Sequence, residues 1–496
     1  MVGFGFLTSP MNNSHTTHVD LQAMAKQVML EHGFEPEFPA AVQQQLAKMN
    51  GNLPRGDGNA RDMRALLWSS IDNDTSRDLD QIEVAEKLPD GRVKVMIGIA
   101  DVDAFVPKAC PIDDHAAKET TTVYTGVCNF PMLPEQLSTG SSSLLEDQDR
   151  LAIVIEFLVD PDGNSSGGTV YPALVRNKAQ LTYNAIGSWL DNGSAPPPKV
   201  AASAELQNQL RLQNQVAQAL RKQRNVRGAL NIDTTEVRPV LQNQQIVDIA
   251  KQEKNSATEL IEDFMIGANG VVAHLLDNVP SLRRIVRTPE RWDRIVQLAS
   301  QHGTVLPANP DSKALNDFLT KQKNADPDRF PDLSLAVIKL MGPGEYILER
   351  PGDPEPGHFG LAVQDYTHST APNRRFADVV TQRLVKALVA GKSNPYSDSE
   401  LAEVARNCTE KEDAARKVER EMSKRISAVA MCPRIGETFD AMVTGVTPHG
   451  TFVRVMKPHV EGLLAQGHQG LDVGEKVRVR LTRTDVQRGY IDFALV

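Results

Sequence analysis

The spacing of apolar positions changes along this chain, and each change marks a different kind of structure. "HVDLQAMAKQVMLEHGF" and "FPAAVQQQLAKM" carry apolar residues at helical spacing, punctuated by Gly33, Pro36 and Pro39. Residues 1–60 are therefore expected to form a helical module. The two helices flanking "EHGFEPEFP" allow either a helix-turn-helix or compact packing with no nucleic-acid role. "GNLPRGDGN" then marks a boundary or long turn, dense in Gly, Pro and Asn.

Beyond it the pattern is mixed. "ALLWSSI", "QIEVAEK" and "RVKVMIGIADV" read as strands, the last two joined through "LPDG". "ELQNQLRLQNQVAQALRKQR" and "ATELIEDFMIGANGVVAHLL" read as helices. An α+β body over residues 61–432 is expected. "DNGSAPPPK" and "GPGEYILERPGDPEPGHFG" read as surface loops within it, the second placed to border a cleft. Residues 436–496 show short β-rich runs with glycine at the bends, the pattern of a small barrel. Phe439, Phe452 and Tyr490 there are open to two readings, base stacking or core.

Composition narrows the class. A chain of 496 residues with 41% hydrophobic and 24% charged positions is a soluble globular protein large enough for two or three domains. It has no apolar run of membrane-spanning length, and "MVGFGFLTSPMNNSH" lacks a basic secretory n-region, so cytoplasmic residence without a membrane is expected. Cys110, Cys128, Cys408 and Cys432 form no metal or redox spacing and read as reduced structural thiols. A net charge of -9 argues against a uniformly basic nucleic-acid binder, although a local channel can hold a polyanion inside an acidic protein.

The candidate chemistry begins in "SSIDNDTSRDLDQ", which gathers Asp72, Asp78 and Asp80 just before a strand-like segment. Magnesium (Mg2+) prefers carboxylate oxygens and usually takes few protein ligands, so this grouping suits it. The other reading is a solvated acidic turn. If "DLDQIEVAE" enters a strand, Asp78 and Asp80 face one side and Asp72 returns from the preceding strand, letting the carboxylates converge on one cation. Asp101 and Asp103 repeat the spacing and either enlarge that acidic site or mark a strand end. In "YTHSTAPNRRFADVVTQRLVKALV" an apolar helical face begins just after Pro372. Arg374 and Arg375 then stand at the positive end of the helix dipole, which suggests a bound phosphate; the alternative is a surface arginine pair ion-paired to Asp378 or another acid.

These strings, with "IGIADVDAFV", "TTTVYTGVCNFPMLPEQLSTGSSSLLEDQDRLAIVIEF", "RGALNID" and "ELIEDFMIGAN", resemble in order the RNB family of exoribonucleases, the RNase II and RNase R group. The tail resembles the OB-fold RNA-binding domain of ribosomal small-subunit-protein type that commonly ends these enzymes. The resemblance implies an RNB catalytic domain over 61–432 and an OB fold over 436–496. It implies a hydrolytic, processive 3′-to-5′ exoribonuclease that uses Mg2+ and releases nucleoside 5′-monophosphates. Asp72, Asp78 and Asp80 would hold the metal, with Asp78, Asp80 and Arg374 catalytic and Arg374 on the scissile phosphate. Tyr124 would stack on the 3′-terminal base. Glu262 would lie near the terminal ribose, with Asp263 its neighbour and competitor, and Tyr183, Ile232 and Arg375 complete the implied substrate contacts. Single-stranded RNA, extended to RNA with 3′ overhangs, is the expected partner, and no obligate protein partner is called for.

Three departures accompany the resemblance. Gln81 stands where many members have a fourth aspartate, and it supplies no charge. Ile232 stands where relatives often have an aromatic. The helical module replaces two cold-shock OB folds. Gln81 motivates the alternative reading, a non-catalytic RNA-binding protein on a degenerate nuclease fold.

Overall fold

Burial on both faces organises the central sheet of this protein. The computed structural model describes residues 20–49, 60–233, 236–242, 245–252, 254–354 and 356–496. "GNLPRGDGN", at 51–59, lies outside the described residues. Seven strands form the sheet in the spatial order Arg61–Asp62, Ser165–Arg176, Asp149–Val159, Val93–Ala100, Gln81–Lys87, Ser69–Asp72, Ala179–Thr182. The two outermost pairings are parallel and the others antiparallel. Gln81, Ile82, Glu83, Val84 and Ala85 are all buried, so this strand is covered on both sides. One cover is made by helices Ala204–Arg227 and Ser256–Leu275, which pack on each other and on the sheet. Asn255 starts the second with a capping box, accepting from the Ala257 and Thr258 N–H groups while Thr258 Oγ1 accepts from its own N–H.

The proline-rich segment read as a loop, "GPGEYILERPGDPEPGHFG", contains the strand Glu345–Glu349. It pairs antiparallel with Ser281–Ile285 and buries Tyr346. The run of three apolar and aromatic residues inside it, Tyr346 to Leu348, finds a partner strand distant in sequence, which local pattern does not reveal.

Helices Leu21–Glu31 and Ala40–Lys48 are present as expected, but they pack on different parts of the body rather than on each other as a helix-turn-helix would. The first lies on the long helix Asp398–Met431 and the second on Pro111–Glu119. Met24, Val28, Met29 and Phe34 share a core with Val123, Val418 and Met422.

At the C-terminus, strands Thr438–Thr447, Gly450–Val455, Val460–Gln466, Lys476–Asp485 and Tyr490–Leu495 close a five-stranded barrel consistent with an OB fold. Phe439 is core, edge-on to Phe493, whereas Tyr490 is exposed. The barrel shares its hydrophobic core with the long helix, which contributes Ile426, Ala428 and Met431. Its approach to that helix is close at Gly489, where a Cβ would lie 2.8 Å from Lys424 Cβ and where φ is +66°. On another side Arg454 makes a two-armed ion pair with Asp332, at 2.6 and 2.9 Å. Among the described residues no helix is long and apolar enough to cross a membrane.

Candidate active site

Two loops, far apart in sequence, meet at one end of the sheet. The first runs from Asp72, the last residue of its strand, to Asp80, which immediately precedes the strand Gln81–Lys87. Asp72 Oδ1 shapes the loop by accepting from Asn73 N at 2.7 Å and Ser76 Oγ at 2.9 Å. Leu79 is buried between its neighbours and anchors the loop in the core. The second loop carries Arg374 and Arg375. Pro372 lies in a turn before the helix, which begins only at Phe376, because Arg375 takes an extended conformation as its N-cap. That extension lets the loop pair with the segment leading to Tyr124: Thr122 N donates to Arg374 O at 3.0 Å, and Phe376 N to Thr120 O at 2.8 Å.

The loops touch at Asp80. Its Oδ1 accepts from Asn373 N at 2.8 Å, and its Oδ2 lies 3.5 Å from Arg374 Nε. Asp80 is 2% exposed, and this burial pushes its carboxyl up to about 8, against the opposing pull of the Arg374 charge. Burial likewise raises Asp72, and the nearby Asp78 charge adds to it. Asp78 Oδ2 accepts from the Tyr124 hydroxyl at 3.1 Å, and burial is the main cause that raises this phenol, although Tyr124 as a whole residue is 39% exposed. Tyr183 opens the helix Tyr183–Asn192, its phenol raised by burial and by the charges of Asp72 and Glu83. Asp72, Asp78, Asp80, Tyr124, Tyr183 and Arg374 are therefore one electrostatic cluster.

Other candidates lie elsewhere. Arg375 turns inward, donates to Asp378 Oδ1 at 2.7 Å and is largely buried, so it takes the ion-pair alternative instead of facing the loop junction. Asp101 and Asp103 are matched by Lys386, each at 2.9 Å, and Asp103 also by Arg383 at 2.8 Å. They are a strand end locked by cations rather than an extension of the acidic site. Ile232 and Glu262 line a cavity of about 300 Å³ together with Arg221, Arg224, Lys254 and Glu259. Asp263 is 1% exposed and held by Arg221 and Arg224, whereas Glu262 is half exposed and accepts from Lys254 at 3.0 Å. Of the neighbouring pair, Glu262 rather than Asp263 thus has the accessible carboxylate at this cavity.

Among the described residues no group of His, Cys, Asp and Glu side chains converges closely enough to enclose a metal ion. The three aspartates are spread over separate hydrogen bonds instead of aimed at one point. Their chemistry nonetheless fits magnesium: the donors are carboxylates without thiol or imidazole, and the desolvated charge of Asp80 is only partly offset by Arg374.

Glu83 escaped the sequence reading because Ile82 and Val84 mark the opposite side of the strand as the apolar one. Covered by helices, Glu83 is fully buried, and neither carboxyl oxygen has a hydrogen-bond partner among the described residues. Burial first, and the Asp72 charge second, hold it well above the ordinary carboxylate range. A carboxyl raised on folding stabilises below the unfolded value near 4.5, and that contribution is lost as pH rises. Glu83→Gln, which matches the neutral acid in shape, is therefore expected to raise the Tm at pH 7.5 and leave it nearly unchanged at pH 4. The gain is the free energy of keeping a buried carboxyl protonated above its unfolded value, which a permanently neutral amide does not incur. Thermal melts at both pH values check this, and equal melting of both proteins at pH 7.5 would refute it.

Residues 60–391 match the RNB domain, and residues 437–496 match the RNase II-type exonuclease C-terminal S1 domain. The chain is 30% identical over 507 residues to Ribonuclease R of Thermotoga maritima, covering 95% of this chain and 70% of that protein. It is 28% identical over 504 residues to Ribonuclease R of Escherichia coli, covering 92% of this chain but only 60% of that protein. Solved structures of Mycoplasma genitalium RNase R, in complex with ribose methylated single-stranded RNA and with double-stranded RNA, share its fold at a TM-score of 0.84. They are 22% and 24% identical, cover 96% of this chain, and are themselves covered to 78% and 83%.

Proposed function

Because the chain belongs to the RNB family of exoribonucleases, we propose that it hydrolyses single-stranded RNA processively from the 3′ end and releases nucleoside 5′-monophosphates. The observation that carries this reading is the junction of Asp80 with Arg374 at 3.5 Å, beside Asp72 and Asp78. A cluster of carboxylates facing a half-exposed guanidinium is the arrangement that receives a phosphodiester: the acids through a hard cation, the arginine directly. Asp72, Asp78 and Asp80 would hold magnesium, which when bound lowers the pKa of a water and neutralises charge at the phosphate.

The remaining groups position the substrate. The Tyr124 hydroxyl donates to Asp78, which keeps this partly exposed residue beside the carboxylates, where a terminal base would stack on its ring. Glu262 offers an acceptor to the 2′-hydroxyl that separates RNA from DNA. Tyr183 and Ile232 would complete the wall against the substrate. RNA with a 3′ overhang is a further proposed substrate, and the cytoplasm the proposed compartment.

The rival reading, an RNA-binding protein without activity, rests on Gln81. It is weaker, because Gln81 removes one charge while Asp72, Asp78, Asp80 and Arg374 are all retained.

Purified protein incubated with magnesium and 5′-labelled RNA tests the proposal. A ladder shrinking from the 3′ end, dependent on the metal, supports it; intact RNA in a stable complex supports the binder. In the same assay Tyr124→Ala is expected to release a longer end product. Its stacking would contribute about 1–3 kcal/mol, a large share of the grip on a short RNA. An unchanged product length would remove Tyr124 from the clamp.

A further inference from the structure

The segment "LSTGSSSLLEDQDR" carries none of the groups assigned above, yet its serines touch both loops of the site. Residues Leu137–Ser141 form one wide helical turn, and Ser142 and Ser143 follow it, 2% and 0% exposed. Ser143 Oγ donates to Arg77 O at 2.6 Å and accepts from Leu79 N at 2.9 Å, so it grips the backbone between Asp72 and Asp80. Leu144 N adds a bond to Leu79 O at 3.0 Å. Ser142 Oγ faces the other loop: it lies 2.6 Å from Asn373 Oδ1, with Leu137 O as a second acceptor at 2.8 Å. Asn373, itself 1% exposed, sends its backbone N–H to Asp80. Arg150 braces the turn, donating to Ser143 O at 2.8 Å and Gly140 O at 3.1 Å.

We infer that Ser142 and Ser143 are positioning residues: a two-residue latch that fixes the acidic loop against the arginine loop, so that Asp80 and Arg374 meet one phosphate. Both loops lie outside the helices and the main sheet; the arginine loop is also paired to Thr120 and Thr122 through its backbone, and the acidic loop takes its placement from buried partners on this turn. Adjacent serines on a braced turn place both loops from a single origin. Buried hydroxyls that bond main chain are costly to remove, so the register is held stiffly. Asn373 links the halves, since its side chain reads Ser142 and its main chain reads Asp80.

This inference rests on the exonuclease reading above, and the test separates the two. Ser142→Ala and Ser143→Ala are expected to lower kcat about tenfold or more, because small misplacements of reacting groups are expensive. RNA affinity, measured by fluorescence anisotropy in EDTA, should stay within about twofold, since the polyanion is held by many contacts. Mn2+ binding to the RNA-free protein, followed by electron paramagnetic resonance, should weaken in Ser143→Ala. Ser138→Ala, which removes a buried hydroxyl of the same turn that bonds only the Leu133 and Pro134 carbonyls just before it and neither loop, should change none of these. If Ser143→Ala fails to fold, Ser142→Ala and Asn373→Leu carry the test: their double variant should lose no more than the worse single one, as partners in one link do. Retained kcat in both serine variants, or full additivity of Ser142→Ala with Asn373→Leu, overturns the latch. Normal turnover by Asp80→Asn would instead overturn the exonuclease reading itself.

Discussion

Asp80→Asn is expected to reduce RNA hydrolysis by about 10³-fold or more while leaving RNA binding within about threefold of the parent. The substitution keeps an oxygen where Asn373 N donates and nearly preserves volume, so the loop junction survives. It removes the one carboxylate that is both fully enclosed and opposite Arg374. An amide carries no charge to hold a divalent cation or to balance the guanidinium, and both losses bear on the reacting phosphate. Folding should not suffer, because burial already disfavours the Asp80 charge, and a neutral isostere escapes that cost. Single-turnover cleavage, anisotropy binding and a thermal melt give the three readings. Turnover within tenfold of the parent would sink the assignment of Asp80.

Arg374→Ala should lower kcat/KM by about 10²–10³-fold, the usual effect of deleting a group that stabilises charge in the transition state. Arg374 is 43% exposed, and its Nε lies 3.5 Å from Asp80 Oδ2. Arg374→Lys is expected to fall between the parent and alanine, since an ammonium restores charge without the planar two-donor geometry. Rates ordered arginine, lysine, alanine on one labelled RNA would support a phosphate contact. A lysine variant no better than alanine, with both still binding RNA, would argue for a purely geometric role at the loop junction.

Arg374 and Arg375 show where reading the chain stops. Adjacent in sequence and identical in chemistry, they are interchangeable to any argument from spacing. The tertiary structure separates them, because the extended backbone at Arg375 sends its side chain to Asp378 and leaves Arg374 at Asp80. Asp101 and Asp103 make the same point. Their spacing copies that of Asp78 and Asp80, and only Lys386 and Arg383, on a helix nearly three hundred positions later, show them to be neutralised.

What the sequence determined by itself is local or cumulative. Helical periodicity located Ala204–Arg227 and Ser256–Leu275, glycine-punctuated β runs located the barrel, and the acidic string with its ordered companions identified the family. These signals survive because each depends on residues within a few turns of one another, or on many short matches in order. The tertiary structure alone decided which polar groups are enclosed. Glu83 is buried because helices cover the face that its strand pattern marks as polar, and the strand Glu345–Glu349 exists because Ser281–Ile285 lies beside it. Ser142 and Ser143 matter because two loops fold onto one turn. Desolvation and hydrogen-bond partnership are properties of neighbours, and here the neighbours that decide the site are supplied by segments remote in the chain.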